Sequence, residues 1–371
     1  MTQSESSARE AFDRAVAQGR VERLEYDGLT LERCNDDVGH LPRGSIRAAG
    51  RVLYGYPHIG RILVLRRGLT EQLAGPFHVE EKINGYNVRI ARIDGRLLAF
   101  TRGGFVCPFT TDRLPDLLDP AFFDAHPDKV LCAEVAGPGN PWLDASPPFI
   151  ERDVRLFAFD ITEWNRADFL PVNELQTLLE EFALPAVPAW GWSDAEHYDE
   201  LAARILELNE QGREGLIFRQ ETPRPRRVKY VTARVNLEDI QRSATRMPDM
   251  PAGYFAGRIL RIALFLQEHG LDAQPYEEAL GQALLGALDD TLTQLQRERR
   301  ASQPFTCRFR ERHNAERLVA LLQRVPGHKV KIVIHGIEPE ANGYWRLRFE
   351  RRYPLTNSLL YELLGGGLIY D

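Results

Sequence analysis

The chain has 371 residues, of which 43% are hydrophobic, enough apolar material for two to four domains. Its formal net charge of −6 excludes a surface coated in basic residues for indiscriminate nucleic-acid binding, while leaving local basic grooves open. No apolar run is long enough to span a bilayer, and Met1-Thr2-Gln3-Ser4-Glu5-Ser6-Ser7 lacks the basic and apolar regions of a signal peptide, so the cytoplasm is the expected compartment. Cys34, Cys107, Cys132 and Cys307 are scattered without a CxxC pair, which suggests small buried or half-buried residues, not a zinc site or a disulfide framework.

In chain order, residues 8–26 predict a polar helix, followed by short strands and turns through Gly39-His40-Leu41-Pro42-Arg43-Gly44 and Gly55-Tyr56-Pro57-His58-Ile59-Gly60-Arg61. Ile62-Leu63-Val64-Leu65 predicts a buried strand. Arg61, Arg66 and Arg67 are expected to be solvated, with a phosphate contact as the alternative.

From residue 77 to about 235 the texture is strands punctuated by glycine and proline, with few helices apart from residues 199–211, as in an α+β core built on antiparallel sheets. Its centre is Glu80-Glu81-Lys82-Ile83-Asn84-Gly85-Tyr86-Asn87-Val88-Arg89-Ile90. Lys82 reads as a nucleophile, and Asn84-Gly85 as a tight turn before the strand pattern resumes. A free lysine has a pKa of about 10.4, so on the order of one in a thousand is neutral near pH 7, and attack on phosphorus needs the neutral amine. A partly desolvated pocket with other cations is therefore expected around it. An ordinary hairpin with an exposed lysine is the competing reading.

Four further features belong with that lysine. Thr101-Arg102-Gly103-Gly104-Phe105 places an arginine before two glycines that allow close backbone approach to a ligand. Leu131-Cys132-Ala133-Glu134-Val135-Ala136-Gly137 is a strand carrying a carboxylate before a turn. Val154-Arg155-Leu156-Phe157-Ala158-Phe159-Asp160-Ile161 alternates so as to present its aromatics on one face. Arg213-Glu214-Gly215-Leu216-Ile217-Phe218-Arg219 gives a carboxylate, and Arg227-Val228-Lys229-Tyr230 a basic strand about a dozen residues later.

Each feature alone is weak, but their order and spacing resemble the covalent nucleotidyltransferase superfamily of ATP-dependent ligases and mRNA capping enzymes, whose first motif is Lys-x-[Asp/Asn/His]-Gly. Within it, Glu-Lys-Ile-Asn-Gly-Tyr-Asn-Val-Arg and Thr-Arg-Gly-Gly-Phe-Val-Cys-Pro-Phe-Thr-Thr resemble most the archaeal-type homodimeric ATP-dependent RNA ligases. The resemblance implies that Lys82 attacks the α-phosphorus of ATP to give a lysine-adenylate. It implies that Glu81 helps recognise adenine, that Asn87 and Arg102 contact ribose or phosphate, that Glu134 lies near the ribose hydroxyls and that Phe159 stacks on adenine. Glu214 would help hold a hydrated metal, and Lys229 would neutralise the α-phosphate. The fifth motif is commonly Lys-x-Lys, and here it is Arg227-Val228-Lys229, so a cation is kept while the role of Arg227 is open. Magnesium is the expected ion, with manganese as the alternative, since phosphate oxygens, waters and few carboxylates suit its octahedral shell. The adenylate would pass to an RNA 5′-phosphate, and a 3′-hydroxyl would then displace AMP and seal the strand, in RNA repair or processing.

Beyond residue 235 the texture turns helical. In residues 254–268, Phe255, Ile259, Ile262, Ala263 and Leu266 fall on one helical face, with Leu260, Leu264 and Phe265 on the other side. A second amphipathic helix follows around residues 276–297. Helices apolar nearly all round need burial on more than one side. The resemblance implies a homodimer here, and burial against the catalytic core is the alternative. From about residue 303 a small α/β module is expected, with a helix over 314–324 and strands over 329–334 and 344–351. Arg308, Arg310, Arg346, Arg348, Arg351 and Arg352 recur on its strands, either as a track for a phosphate backbone or as a solvated face. The expected organisation is an N-terminal module (1–70), an antiparallel-sheet nucleotidyltransferase catalytic domain (71–235), a helical dimerisation domain (236–302) and an α/β C-terminal domain (303–371). The rival functions are a DNA ligase or capping-type nucleotidyltransferase, and a non-catalytic dimeric RNA-binding protein.

Overall fold

A computed structural model describes residues 3–221, 226–324 and 330–368. Helix α1 (Gln3–Ala17) leads into strands β1 (Val21–Tyr26), β2 (Leu29–Cys34), β3 (Ile46–Ala48) and β4 (Arg51–Leu53), then β5 (Gly60–Arg61), α2 (Leu65–Gln72) and β6 (Phe77–Lys82). Next come β7 (Tyr86–Ile93), β8 (Arg96–Thr101), α3 (Pro108–Leu117), α4 (Ala121–Ala125), β9 (Lys129–Ala136), β10 (Arg155–Glu163), α5 (Val172–Glu181) and β11 (Ala189–Ser193). They are followed by α6 (Tyr198–Glu210), β12 (Gly215–Arg219), β13 (Arg227–Val231), α7 (Ala233–Ala244) and α8 (Tyr254–His269). The rest is α9 (Gln274–Gly281), α10 (Ala287–Glu298), β14 (Ser302–Phe309), α11 (Arg312–Gln323), β15 (Lys331–Pro339), β16 (Trp345–Arg352) and α12 (Pro354–Leu364). The fold is α+β on mainly antiparallel sheets, as expected. The chain forms two compact units: Met1–Ile59, Ile83–Gly137 and Val154–Pro188 make the first, and Gly60–Lys82, Pro138–Asp153 and Ala189–Asp371 the second.

The first unit holds two four-stranded sheets, β1-β2-β3-β4 and β10-β9-β7-β8. Leu24, Leu31, Ile46 and Leu53 of the former share one core with Ile93, Leu98, Phe100 and Val130 of the latter. Both Asp27-Gly28 and Asp94-Gly95 have positive φ at both residues and close two-residue hairpins, β1 to β2 and β7 to β8, a turn that matches strand twist. The helix expected over residues 8–26 therefore ends early. Gly19, at φ 66°, stops it, and residues 21–26 pair with 29–34 instead. Helices α3 and α5 also exceed the expectation of a nearly helix-free core. Each starts at a proline, Pro108 in the first turn and Pro171 at the cap, where no backbone N–H is needed.

The second unit is organised by a five-stranded sheet, β11-β6-β12-β13-β5, antiparallel except for β13 and β5. One face packs Phe77, Val79, Leu216, Phe218, Val228 and Tyr230 against α6, α7 and α8. The strand expected at residues 62–65 is not formed. Ile62 is buried in that core, Leu63 is exposed, and α2 starts at Leu65, whose N–H and that of Arg66 are capped by the Glu268 carboxylate. The hairpin weighed as the competing reading at Lys82 is not formed. Asn84 and Gly85 make a bend between β6 and β7, which pair in separate sheets, and the chain leaves the second unit directly after Lys82.

Helix α8 buries Ile262 and Phe265 in the sheet core, with Phe255 and Leu266 packed against it. The seam expected over Phe255, Ile259, Ile262 and Leu266 is thus mostly intramolecular. The apolar positions left exposed are Ala256, Ile259, Leu260 and Ala263, a set at helical spacing with Leu260 53% accessible. The second expected helix is α9 and α10 joined by a π turn over Gln282–Gly286.

In the C-terminal module β14-β16-β15 is antiparallel and Phe305 stacks on Phe349 at 5.0 Å. Lys329, the expected start of its second strand, lies outside the described residues, and β15 runs on to Pro339. The arginines do not form one open track: Arg348 pairs with Glu338 at 2.7 Å, Arg308 with Glu340 at 2.8 Å and Arg346 with both carboxylates. Arg351, on the other face, donates to the carbonyls of Pro141 and Trp142. All four cysteines are buried, and burial pushes the Cys34 thiol up to about 11. Among the described residues, no helix is long and apolar enough to cross a membrane.

Candidate active site

In the second unit, strand alternation sorts the candidate residues. Residues paired across neighbouring strands share a side, and successive residues take opposite sides. Glu80 pairs with Ile217, Ile217 with Lys229, and Lys229 with Arg61. Glu80, Lys82, Ile217, Lys229 and Arg61 therefore lie on the face opposite the apolar core, with His78, Arg219 and Arg227 further along it. This polar face of a sheet whose other side is fully packed is where the lysine is presented.

Lys82 Nζ donates to Glu214 Oε2 at 2.8 Å, and both side chains are largely shielded, at 18% and 13% exposure. Glu214 immediately precedes β12, and its carbonyl accepts from Thr232 N–H. Gly215 follows with φ 144°, and a Cβ there would sit 2.1 Å from the Tyr230 carbonyl oxygen. The Glu-Gly pair is thus not a solvent turn: only glycine lets β12 approach β13 closely enough to carry Glu214 to Lys82. Lys229, Arg61 and Arg227 share the face of Lys82, and Glu214 is the carboxylate that meets Lys82 there.

Glu81 does not share that face. It pairs with Leu216 on the core side, is 2% exposed, and is held by two hydrogen bonds from Arg213, whose guanidinium lies over the Phe149 ring at 4.8 Å. Burial raises the Glu81 carboxyl above its ordinary range, and Arg213 opposes that shift. Alternation turns the Glu81 side chain away from the Lys82 side, where its pair with Arg213 clamps the start of β12 to β6.

In the first unit, Asn87 on β7 and Glu134 on β9 are direct partners and share a face with Phe157, the partner of Glu134 on β10. Phe159 has no partner on β9. A bulge between Ala158 and Asp160 inserts it, and exposure still alternates through that point, with Phe157 and Phe159 half-buried on either side of the buried Ala158. The Tyr56 ring meets Phe159 edge-on at 5.3 Å, and its hydroxyl donates to Asp160 at 2.7 Å. Arg102 is exposed and donates to the Pro57 carbonyl and to His58 Nδ1. Gly104 serves the protein itself: at φ 82°, a Cβ on it would stand 2.6 Å from the Gly44 carbonyl oxygen, whereas one on Gly103 would meet only ordinary contacts.

Two residues given no role from sequence support this arrangement. Tyr56 is one. The other is Arg89, 1% exposed, which donates to the carbonyls of Tyr54, Gly44 and Thr101 and so ties the Arg102 turn to its neighbours. Burial pushes its guanidinium down to about 10. The apolar alternation of β7 offered no sign of it, because an arginine within a strand reads as solvent-facing. Arg89→Met should lower stability by about 2 kcal/mol or more, since the buried Gly44 carbonyl and the partly buried Tyr54 carbonyl lose their donor while Thr101 keeps the Gly104 N–H, and a shifted urea midpoint at unchanged slope is the check.

A family model described as RNA ligase matches residues 75–231, and one described as Ligase Pab1020 C-terminal region matches residues 243–367. An Aquifex aeolicus protein provisionally named an ATP-dependent DNA ligase is similar in structure over 97% of this chain and 100% of its own, at 41% identity and a TM-score of 0.93. Two forms of an archaeal ATP-dependent RNA ligase are similar over 97% of this chain and 96% of theirs, at 28% and 29% identity and a TM-score of 0.87. An uncharacterised protein of Methanocaldococcus jannaschii is 28% identical over 327 residues, 85% of this chain and 82% of its own length. With the ligase models covering both its catalytic and its C-terminal regions, the chain belongs to the RNA ligase family, in its archaeal ATP-dependent branch.

Proposed function

We propose that Lys82 is the nucleophile that charges this ATP-dependent RNA ligase. The observation that carries the assignment is the shielded Lys82–Glu214 pair on one sheet face with Lys229. Lys82 Nζ loses its proton and bonds to the α-phosphorus of ATP, while the bond from that phosphorus to the bridging oxygen breaks and its electron pair leaves with pyrophosphate. An ammonium tied to a carboxylate cannot attack, so the pair opens as the proton leaves. Lys229 offsets charge on the α-phosphate in the transition state. The adenylate passes to an RNA 5′-phosphate, freeing Lys82, and a 3′-hydroxyl displaces AMP.

Asn87 and Arg102 are assigned to ribose or phosphate, Glu134 to the ribose hydroxyls, Phe159 to the adenine face and Arg227 to phosphate charge. Among the described residues no group of three or more His, Cys, Asp and Glu side chains could hold a metal. That donor set fits an ion taking most of its shell from phosphate oxygens and water, with Glu214 as the protein's carboxylate, which suits magnesium. Such an ion would offset charge on the triphosphate. We place the enzyme in the cytoplasm, where ATP and RNA ends occur together.

The test is to incubate the protein with labelled ATP and magnesium, then chase with 5′-phosphorylated single-stranded RNA. Label is expected on the chain and then on RNA, with GTP inert. The name of the Aquifex protein supports a second reading, joining of DNA, and sealing of nicked duplex DNA in preference to RNA ends would favour it.

We further propose that residues 236–302 join two chains through the exposed set Ala256, Ile259, Leu260 and Ala263. Burying an isoleucine or leucine stabilises by roughly 1.5 to 3 kcal/mol, counted twice across a two-fold interface. Ile259→Asp with Leu260→Asp should give a monomer by light scattering that still forms the adenylate. A wild-type protein already monomeric at micromolar concentration would refute the interface.

A further inference from the structure

Strand order places one more cation beside the nucleotide chemistry. β5 is the edge strand next to β13, and Arg61 is the direct partner of Lys229 on the Lys82 face. Neighbouring strands lie about 4.8 Å apart, so the strand of Lys229 is roughly 10 Å from that of Lys82, and the strand of Arg61 roughly 14 Å in the same direction. Arg61 thus lies beyond Lys229 as seen from the nucleophile.

Its surroundings are rich in positive charge. Arg61 is half-buried, and burial lowers its basicity; Glu214 and, less strongly, Asp239 oppose that shift, and the like charge of Arg258 adds to it. Arg261, one helical turn from Arg258 on α8, is lowered by burial and then by Arg61 and Arg258. Arg258 is fixed, pairing with Asp239 at 3.0 Å and lying over the Tyr254 ring at 3.5 Å. Neither Arg61 nor Arg261 has a side-chain hydrogen bond or ion pair to another described residue. The carboxylate among them, Asp239, already pairs with Arg258 and Arg242, so these partly desolvated guanidiniums outnumber it and an arriving anion is favoured there.

An in-line displacement expels its leaving group on the side away from the nucleophile. With the α-phosphate between Lys82 and Lys229, that side is toward β5. We propose that Arg61, flanked by Arg258 and Arg261, binds the β- and γ-phosphates of ATP and stabilises the departing pyrophosphate, an assignment that rests on Lys82 being the nucleophile. Arginine suits the task, since its fork can bridge two phosphate oxygens.

The test uses the full-length protein and reads each step separately. Enzyme-adenylate of wild type, Arg61→Gln and Arg61→Lys is isolated after exhaustive incubation with ATP and supplied either with pyrophosphate, following ATP re-formation, or with 5′-phosphorylated RNA. Arg61→Gln should raise the half-saturating pyrophosphate concentration at least tenfold, while transfer to RNA and sealing of pre-adenylated RNA stay within threefold of wild type. Arg61→Lys should recover part of the pyrophosphate response. Unchanged pyrophosphate dependence in Arg61→Gln would overturn the proposal, and a defect confined to RNA transfer would reassign the site to the RNA 5′-phosphate and overturn it too. If Arg61→Gln cannot seal pre-adenylated RNA, Arg261→Gln carries the test, with at least a threefold shift expected in the same direction and no shift overturning the proposal. A wild-type protein that forms no adenylate would instead remove the underlying assignment of Lys82.

Discussion

Lys82→Arg is expected to cut covalent adenylate formation by about a thousandfold or more while the protein stays folded. Arginine keeps the positive charge and can hold the Glu214 carboxylate that Lys82 now holds at 2.8 Å. Its guanidinium does not lose a proton at any working pH, so it cannot offer a lone pair to phosphorus. The substitution therefore separates nucleophilicity from electrostatics, which Lys82→Ala alone would not. Backbone pairing of Lys82 with Gly215 needs no side chain, so the thermal midpoint should move by only a few degrees. The measurement is radiolabel from α-labelled ATP retained on the denatured chain. Undiminished labelling of either variant would remove Lys82 from the role.

Glu214→Ala should lower the adenylation rate about a hundredfold or more even at saturating ATP. The carboxylate is shielded, contacts Lys82 directly and is the main opposing charge to Arg61, so its loss disturbs the charge balance of the step itself. Phe159→Ala should behave differently. Its ring lies edge-on to Tyr56 on a bulge and carries no charge, so removing it should chiefly raise the ATP concentration needed, with a smaller effect on the maximal rate. Titrating ATP against single-turnover labelling separates the two. Matching signatures from both variants would mean that the division of roles between them is wrong.

The ligase class and much of the order of elements can be read from the residues in order. Lys82, Glu214 and Lys229 were legible as candidates because a lysine, a carboxylate and a cation stand in the order the resemblance carries, and strand pairing brings Glu214 within hydrogen-bond reach of Lys82. Helix α8 was legible from apolar periodicity, since a helix that long repeats its pattern over four turns. Tertiary structure decided which way each side chain faces and what satisfies it. Glu81 and Lys82 are adjacent in sequence yet lie on opposite faces of β6, and only pairing with β12 shows which face is packed. Phe159 has no partner on β9 because a bulge adds one residue there, and periodicity cannot reveal an insertion that leaves the side-chain alternation up to it intact. Arg89 reads as a surface charge until three carbonyls from separate segments close around it. Arg61 sits on a two-residue strand, too short for any periodic signal, and joins the site because a parallel pairing with β13, more than 160 residues later in the chain, places it beside Lys229. Local propensity reports the period of a segment; the sidedness of a sheet, the partners of a buried charge and the neighbours of an edge strand are set by contacts distant in the chain.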